Sequence, residues 1–486
     1  MRKYMKKDVK YPSVTVMSFI LLLVTLLIIM TACSNGDSDS QLPPTEGESV
    51  EGQLSEEPEP PTQENTPSIS LDEVIRIFDS WNELIERDGG ELWGFSLQIP
   101  ILFVDSEETR IVIANQPDLE GFLQYQDGVY VGHLPDDYFL PVGTDSDYYF
   151  GGIRWVSTLW NTFSQSYQQM QLLSHYAMHW HQPIIFGSNE IFRRRDNTHM
   201  HEEFARISIR LETNALLQAL RSTDDERFEA ITDALSIRAE RRRLFGDRDE
   251  NIFELAEGLA FYTERLLTTQ NFIISTSDIP SFVQNLRMND GMEHLFGYGT
   301  GALYAFLLFE SGMSWKPYLT LDSDLGSMLQ EVLGITQLRD FDDLDLQQYG
   351  YTTISYEERS WVEARAYFLQ EIFDELENYP QLRVYSSEVG TPTVGIMAWQ
   401  FSEIPELGWF QRGMGEITGS FGRLDIHNNN NFVILTFDDD FGTIAIAHDM
   451  EISDGRVTAR NWVLELEDGY HVICNGDGNF RISRIE

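Results

Sequence analysis

Two hydrophobic periodicities divide the chain. The first predicted helix begins at a capping-box pattern, Ser70 to Glu73, and ends at Gly89 and Gly90. Its apolar positions recur at helical spacing and are Val74, Ile75, Phe78, Trp81 and Leu84. Residues 93–104 and 110–114 are then predicted to be strands. The opening unit, residues 70–147, is therefore expected to mix helix and sheet.

Long helical patterns dominate from residue 148 to about residue 379. The predicted helices are 170–181, 205–221, 225–245, 251–267, 298–310 and 356–376. Past Pro380 the pattern changes to short apolar runs separated by Gly, Asn and Asp. The predicted strands there are 393–401, 432–437, 443–448, 462–466 and 480–485. The sequence thus predicts an α+β protein, with a helical domain at 148–384 and an antiparallel β-sandwich or barrel at 385–486.

The N-terminus has the pattern of an exported lipoprotein. A basic leader precedes an apolar run from Val14 to Met30, so residues 1–32 are predicted to be a signal peptide. Thr31 and Ala32 then precede Cys33, and this arrangement resembles the lipobox of bacterial lipoproteins. The resemblance implies that Cys33 carries palmitate and other acyl chains, which anchor the protein to the outer face of the cell membrane. Residues 33–69 are rich in Ser, Pro and Glu and are predicted to be a disordered tether.

Composition narrows the range of partners. The chain has 78 acidic and 34 basic residues, a formal net charge of −44, so nucleic acid is excluded as an expected partner. The two cysteines are Cys33 and Cys474. With Cys33 acylated, no structural disulfide is expected. Cys474 lies in an apolar run and is predicted to be a buried thiol.

Histidines mark the candidate chemistry. His175 and His179 are four residues apart on a predicted helix, so both imidazoles lie on one face and suit two corners of a tetrahedral zinc site. The spacing is that of the zinc-hydrolase motif H-E-x-x-H, but Tyr176 occupies the position of the glutamate that acts as general base. Five of the ten histidines lie between residues 175 and 201. This clustering favours a metal site, with zinc as the expected cofactor.

A third ligand is expected from a later helix. Glu257 is the first candidate, because the neighbouring Gly258 and Ala260 allow close approach of another helix, and Glu254 is the alternative. A solvated structural role for Glu257 remains open. Other residues are assigned to the lining of the same cleft, and they are His181, His199, His201, Glu202 and Tyr262.

From about Ser70 onwards the chain resembles an uncharacterised bacterial family of metallopeptidase-like proteins related to gluzincins. The matching stretches are residues 151–155, 173–179, 209–216, 257–263 and 296–301. The resemblance implies a zincin-like helical domain in which His175, His179 and Glu257 hold zinc. The chain departs from the family pattern where Tyr176 replaces the motif glutamate and where Phe261 replaces a second glutamate.

These departures predict a degenerate metallopeptidase-like domain, a pseudoenzyme that binds metal, an extracellular peptide, or both, without efficient catalysis. One alternative is an active zinc peptidase in which Glu202 or Glu203 replaces the missing base. Another is a surface binding lipoprotein without metal, in which the two histidines are packed core residues. Three consecutive arginines, 193–195, are expected either to pair locally with acidic neighbours or to meet a ligand carboxylate.

Overall fold

The computed structural model describes residues 69–269 and 292–485, apart from short gaps, and these residues belong to one compact unit. The gaps are 107–108, 136–137, 139, 142–143, 165, 167, 193–195, 247–248, 391–392, 396–400, 405–407, 413–414, 427–431, 437–441, 447–448, 454, 461 and 476–477. The predicted signal peptide, Cys33, the tether and the three arginines at 193–195 lie outside the described residues.

Helices and strands are both abundant, so the predicted α+β class is confirmed. The helices are α1 (Leu71–Asp88), α2 (Trp160–Ser164), α3 (Gln169–Phe186), α4 (Glu203–Arg221), α5 (Asp224–Phe245), α6 (Glu250–Phe253), α7 (Leu259–Thr269), α8 (Phe296–Glu310), α9 (Leu325–Val332), α10 (Tyr351–Asn378) and α11 (Ser386–Val389). A π-helical turn, Glu254–Gly258, joins α6 to α7. Short 3₁₀ turns are Asn189–Phe192, Thr198–His201, Met292–His294, Lys316–Tyr318, Phe341–Asp343 and Leu346–Tyr349.

Strands occur at both ends of the described chain. The first group is β1 (Ile101–Val104), β2 (Ile111–Ala114), β3 (Gln124–Gln126), β4 (Val129–His133), β5 (Thr144–Phe150) and β6 (Ile153–Leu159). The second group is β7 (Gln381–Tyr385), β8 (Thr393–Gly395), β9 (Phe401–Ile404), β10 (Gly408–Arg412), β11 (Gly415–Gly419), β12 (Gly422–Ile426), β13 (Phe432–Thr436), β14 (Gly442–Ile446), β15 (Glu451–Ser453), β16 (Arg456–Ala459), β17 (Trp462–Leu466), β18 (Tyr470–Cys474) and β19 (Phe480–Arg484).

The N-terminal strands form one six-stranded sheet in the order β3-β4-β2-β1-β6-β5. Only the β1–β6 pair among the described pairs of this sheet is parallel. Strand β5 is at the edge and packs against α3. The predicted boundary at residue 147 falls within β5, and one sheet therefore spans both of the predicted units.

Helix α1 begins and ends where the sequence predicts, but its N-terminus is formed differently. The Ser70 side chain makes no capping hydrogen bond, and the amide of Glu73 instead donates to the Ser70 carbonyl at 3.0 Å. At the other end Gly89 is left-handed and donates to the carbonyl of Ile85. The strand predicted at 93–104 is confined to its last four residues, because turns and irregular backbone occupy residues 93–100.

One hydrophobic core joins α1, the inner face of the first sheet and helices α3 to α9. Trp81, Phe103 and Phe163 are among its fully buried side chains.

None of the helices in the described part of the chain has the length and apolarity needed to cross a bilayer.

The C-terminal strands form two sheets around a second core. The seven-stranded sheet has the order β18-β19-β7-β14-β13-β10-β9, and the six-stranded sheet has the order β15-β16-β17-β12-β11-β8. Leu382 and Ile482 of the first sheet share this core with Leu424 and Leu464 of the second, as in a β-sandwich. The sandwich begins at Gln381 rather than at the predicted residue 385, because β7 is an inner strand of the larger sheet.

Cys474 corrects a prediction. Its thiol is exposed rather than buried. The residue ends β18, which is an edge strand whose side chains are at most half-buried. An apolar run in an edge strand therefore does not bury its last residue.

Close backbone contact holds the π-helical turn against α8. A Cβ added at Gly258 would lie 2.5 Å from the Cα of Gly301 and 2.7 Å from the carbonyl oxygen of Gly297. Real Cβ atoms do not approach backbone so closely, so both helices need glycine here. This contact fixes the depth of the turn that carries Glu257.

We expect Gly258→Ala to lower the free energy of unfolding by about 1–3 kcal/mol, because the added methyl group forces the turn away from α8. Helix propensity alone would instead raise stability by about 1 kcal/mol, so the sign of the change is diagnostic. Urea unfolding of the full-length protein in detergent measures it. Thr353→Ala, at an exposed position of α10, is the control and should change stability by less than about 0.5 kcal/mol. A stabilised Gly258→Ala protein would contradict the close contact.

Candidate metal centre

Helix α3 brings the two motif histidines to one face. His175 and His179 are one helical turn apart and both are buried. Their Nε2 atoms lie 3.0 Å from each other. Packing of α3 against α7 places this face opposite the segment that contains Glu257.

The structure brings Glu257 to the two histidines. Its Oε2 lies 3.7 Å from Nε2 of His175 and 3.3 Å from Nε2 of His179. Four ligands of a tetrahedral zinc ion, at bond lengths of about 2.0–2.1 Å, stand roughly 3.3–3.4 Å apart. The three donor atoms therefore form a triangle of the size that one zinc ion requires. Among the described residues, this is the one group of three or more His, Cys, Asp or Glu side chains whose ligand atoms lie close enough together to share a metal ion.

Hydrogen bonds on the far sides of the rings decide which nitrogens carry protons. Nδ1 of His175 is 3.2 Å from a carboxylate oxygen of Glu264, and Nδ1 of His179 is 2.9 Å from Oε1 of Gln182. Both partners are acceptors, so each Nδ1 must donate a proton. In a neutral imidazole the Nε2 atom is then unprotonated and carries a free lone pair. Two imidazole lone pairs and one carboxylate oxygen thus point at a common position, as metal coordination requires.

The π-helical turn separates the two glutamates that the sequence leaves as alternatives. In a regular helix, residues three apart lie about 60° apart around the axis, and the wider π turn increases that angle. Glu254 is fully buried and pairs with Arg238 of α5 at 2.6 Å. Glu257, three residues later, faces the histidines instead. Glu254 is thus committed to an ion pair, and Glu257 is the third donor.

Glu264 is a site residue that the sequence interpretation missed. Phe261, at the position where the family resemblance of the sequence implies a glutamate, is buried and packs under the Arg265 guanidinium, 4.7 Å from its ring centroid. Glu264 lies about one turn beyond Phe261 on α7 and supplies the carboxylate to Nδ1 of His175. The i, i+7 spacing of Glu257 and Glu264 was the signal that could have revealed it, since residues seven apart share a helix face. Glu264 therefore provides a carboxylate on this part of α7 one turn beyond Phe261.

Aromatic rings surround the donor triangle. The Tyr176 ring is 5.6 Å from the His175 ring and 5.7 Å from the His179 ring, measured between centroids. Tyr298 stacks in parallel on His175 at 5.8 Å, and Phe192 meets His179 edge-on at 5.9 Å. Burial, together with the nearby Glu257 carboxylate, raises the pKa of Tyr176 to about 12. The phenol therefore remains protonated at neutral pH and cannot act as a general base.

Without a metal ion, the charges at the site adjust by protonation. Burial lowers the pKa of His175, but the Glu257 and Glu264 carboxylates outweigh burial and raise that pKa to about 9. Burial raises the pKa of Glu257, but the two histidines outweigh it and hold that pKa well below its usual range. A proton on His175 thus occupies the position where a metal ion would bind, and binding of metal at neutral pH must displace it.

A buried ion-pair network lies behind the π-helical turn. Arg238 and Arg241 of α5 both bind Glu212 of α4, at 3.1 and 2.6 Å. Arg241 also binds Glu250, and Arg238 binds Glu254, so α4, α5, α6 and the π turn are connected by charged hydrogen bonds. Burial lowers the pKa of Arg238, and the surrounding carboxylates raise it well above its usual value. The network holds the first residue of the π turn and leaves Glu257 on the opposite side.

The other residues predicted for the cleft make their contacts elsewhere. His181 packs against Phe95, and burial lowers its pKa to about 4. His199 pairs with Glu250 of the buried network at 2.7 Å, and His201 pairs with Glu293 at 3.1 Å. Clustering of histidines along the sequence therefore does not correspond to one cluster in space, because α3 and the Thr198–His201 turn face different partners.

The two remaining residues assigned to the cleft also have other surroundings. Tyr262 is buried among Trp93, Phe306 and Trp315, with ring centroids 5.1–6.3 Å away. Glu202 is exposed at the N-terminus of α4.

Comparison of the chain with protein-family models, with curated proteins and with solved structures finds no match.

The paired His175 predicts a pH-dependent stability in metal-free protein. Its folded pKa of about 9 exceeds the ordinary value of 6.5, so the pairing stabilises the fold fully below about pH 6.5 and is lost as pH rises through about 9. We expect Glu264→Gln to lower the free energy of unfolding at pH 6 by on the order of 1 kcal/mol, with a difference that shrinks towards pH 10. Urea unfolding in EDTA measures this.

Glu240→Gln is the control for that series, because Glu240 pairs with Arg243 on the surface. Its effect should show no trend between pH 6 and pH 10. An effect of Glu264→Gln that is equally independent of pH would contradict the pairing of Glu264 with a charged His175.

Proposed function

We propose that this protein is a lipid-anchored surface protein whose helical domain binds a zinc ion through His175, His179 and Glu257 without efficient peptide hydrolysis. The observation that carries the proposal is the donor triangle, whose three edges of 3.0, 3.3 and 3.7 Å suit one tetrahedral ion. Two imidazoles and a carboxylate are also the donor set that zinc hydrolases of this motif use. The family resemblance of the sequence supports the same assignment.

Histidines that are only packed in a core are the alternative, and they require an additional proton on His175, whose raised pKa of about 9 supplies it, in place of the metal ion. A core histidine needs partners for its ring nitrogens, and a pair bridged by hydrogen bonds would place a proton between the two Nε2 atoms. Here Glu264 and Gln182 already fix both ring protons on Nδ1. The neutral pair then brings two lone pairs to within 3.0 Å of each other, which is repulsive unless a cation or an additional proton intervenes.

Weak or absent catalysis follows from two features. Tyr176 occupies the general-base position, and its pKa of about 12 keeps it protonated. The donor side chains are also little exposed: 11% for His175, 9% for His179 and 16% for Glu257. Catalytic zinc sites keep an open coordination position, whereas structural sites are closed. Zinc, when bound, would supply Lewis-acid polarisation, while Glu257 would serve as a ligand and the Glu264 carboxylate is bonded to Nδ1 of His175.

The alternative of a substitute base receives no support from the two candidates. Glu203 binds Arg359 at 3.1 Å, and Glu202 is exposed at the start of α4. Export and lipid attachment at Cys33 remain part of the proposal on the sequence pattern alone. The extracellular ligand is proposed to be a peptide on the resemblance of the sequence to metallopeptidase-like proteins alone.

Zinc content tests the metal site. We expect the full-length protein in detergent to retain about one zinc ion per chain, and saturating zinc at 100 times Kd to stabilise the EDTA-treated protein by about 2.7 kcal/mol. His179→Gln should abolish both effects, and elemental analysis with thermal unfolding measures them. His133→Gln is the control, since His133 is exposed at the end of β4 and belongs neither to the triangle nor to the buried network. Wild-type protein that neither contains zinc nor gains stability from it would refute the proposal.

Restoring the base tests whether catalysis is lost. We expect Tyr176→Glu to hydrolyse a mixed fluorogenic peptide library at least roughly 10²-fold faster than wild type in the presence of zinc, because a positioned general base contributes about 10²–10⁴ in rate. Tyr176→Gln introduces a side chain of the same size as glutamate but without the basic carboxylate, and this variant should remain inactive. Hydrolysis by wild type that EDTA abolishes, at a rate equal to that of Tyr176→Glu, would show that the protein is an active peptidase.

A further inference from the structure

Gln182 connects the two segments that supply the metal donors. It is fully buried on α3, one turn beyond His179. Its Oε1 accepts a hydrogen bond from Nδ1 of His179 at 2.9 Å. Its Nε2 donates to the backbone carbonyls of Leu255 at 3.0 Å and Ala256 at 2.5 Å. A single amide therefore bonds one histidine ligand and the two residues that immediately precede Glu257.

The chemistry of the partners fixes the orientation of this amide. The carbonyls of Leu255 and Ala256 can only accept hydrogen bonds, so the amide nitrogen must face them. The amide oxygen then faces His179 and accepts the Nδ1 proton. The reverse orientation would place an oxygen against two carbonyl oxygens in a buried setting, which is strongly unfavourable. Tautomer and ring orientation of His179 therefore follow from the backbone of the π turn.

We propose that Gln182 is a positioning residue of the metal centre, which holds His179 as the Nδ1–H tautomer and keeps Glu257 in register with it across two helices. The inference rests on the proposed zinc site and adds to it a residue from the chain that does not contact the ion. Partners behind metal-binding histidines typically change metal affinity 10- to 100-fold when they are removed. Gln182 acts on two ligands, since the Leu255 and Ala256 carbonyls belong to the turn that presents Glu257.

Other groups near His179 do not provide the same connection. Phe192 and Tyr176 contact its ring through aromatic faces and edges, without an acceptor for Nδ1. Glu264 performs the corresponding role for His175, but through a side chain of α7 and not through the backbone of the π turn. Replacement of Gln182 should therefore affect His179 and Glu257 together and leave the Glu264–His175 contact in place.

Two variants separate the two halves of this role. Gln182→Met keeps the length of the side chain and removes all three hydrogen bonds. Gln182→Glu keeps an acceptor for His179 but removes the donors to the π turn. Gln169→Met is the matched control, because Gln169 lies on the same helix and also donates from its amide to two backbone carbonyls, those of Phe163 and Ser164.

The first measurement needs no metal. Two-bond ¹⁵N–¹H spectra of the histidine-labelled full-length protein in EDTA at about pH 10.5, where His175 no longer donates a proton to Nε2 of His179, report the tautomer of each neutral imidazole, and the His179 signals are assigned by their absence in His179→Gln. We expect the Nδ1–H tautomer in wild type, in Gln169→Met and in Gln182→Glu, and its loss in Gln182→Met. An Nδ1–H tautomer that persists in Gln182→Met would overturn the inference, whatever the zinc affinity.

The second measurement is zinc affinity by chelator competition, with the visible spectrum of the Co²⁺-substituted protein as a report on ligand geometry. We expect both Gln182 variants to bind zinc 10- to 100-fold more weakly and to change the Co²⁺ spectrum, while Gln169→Met matches wild type. Equal weakening in Gln169→Met and Gln182→Met would reduce Gln182 to a general packing role and overturn the inference. Should Gln182→Met fail to fold, Gln182→Glu alone decides the affinity comparison.

The two proposals fail in different ways. Wild-type protein that binds no zinc overturns the proposed function and the ligand-positioning role with it. Wild-type protein that binds zinc with an affinity unaffected by either Gln182 variant leaves the metal site standing and overturns only the role of Gln182.

Discussion

Two imidazole nitrogens and one carboxylate oxygen lie within 3.7 Å of one another in a nearly dry interior, and they require positive charge between them. That charge can come from a proton or from a metal ion. The carboxylates of Glu257 and Glu264 raise the pKa of His175 to about 9, so the proton is retained at neutral pH when no metal competes. The same carboxylates increase the attraction for a divalent cation. A metal ion and this proton therefore cannot occupy the position at the same time, and the surrounding residues stabilise either one.

The supporting structure explains how an acidic chain can maintain such a site. The formal net charge is −44, yet four arginines of α4 and α5 are buried rather than spread over the surface, and they are Arg206, Arg210, Arg238 and Arg241. Each binds one or more glutamates, among them Glu358 of α10 for the first two. Removing one partner from such a network leaves a buried charge without compensation. The helices behind the metal centre are therefore held in a fixed arrangement, which the π turn needs in order to keep Glu257 in place.

Patterns in the sequence predict much of the fold and part of the candidate site. Apolar periodicity predicts most of the helices. The H-x-x-x-H spacing predicts the pair His175 and His179, while Glu257 is one of two candidate third ligands from the residues alone and the choice implied by the family resemblance. The π turn was not predictable, because apolar spacing assumes 3.6 residues per turn throughout. Glu264 and Gln182 were missed because their roles depend on the relative placement of two helices. The assignments of His199 and His201 to the cleft equated proximity in sequence with proximity in space, whereas these histidines pair with Glu250 and Glu293.

The π turn also has an evolutionary consequence. A π turn is equivalent to one residue inserted into a regular helix, and each helical residue rotates the chain by about 100°. The insertion lets Glu254 face the arginines while Glu257 faces the histidines. Deletion of one residue from this stretch would rotate α7 about its axis relative to the preceding segment. Glu254 could then no longer face the arginines while Glu257 faces the histidines. The length of this segment is therefore constrained more tightly than the identity of the side chains around the centre.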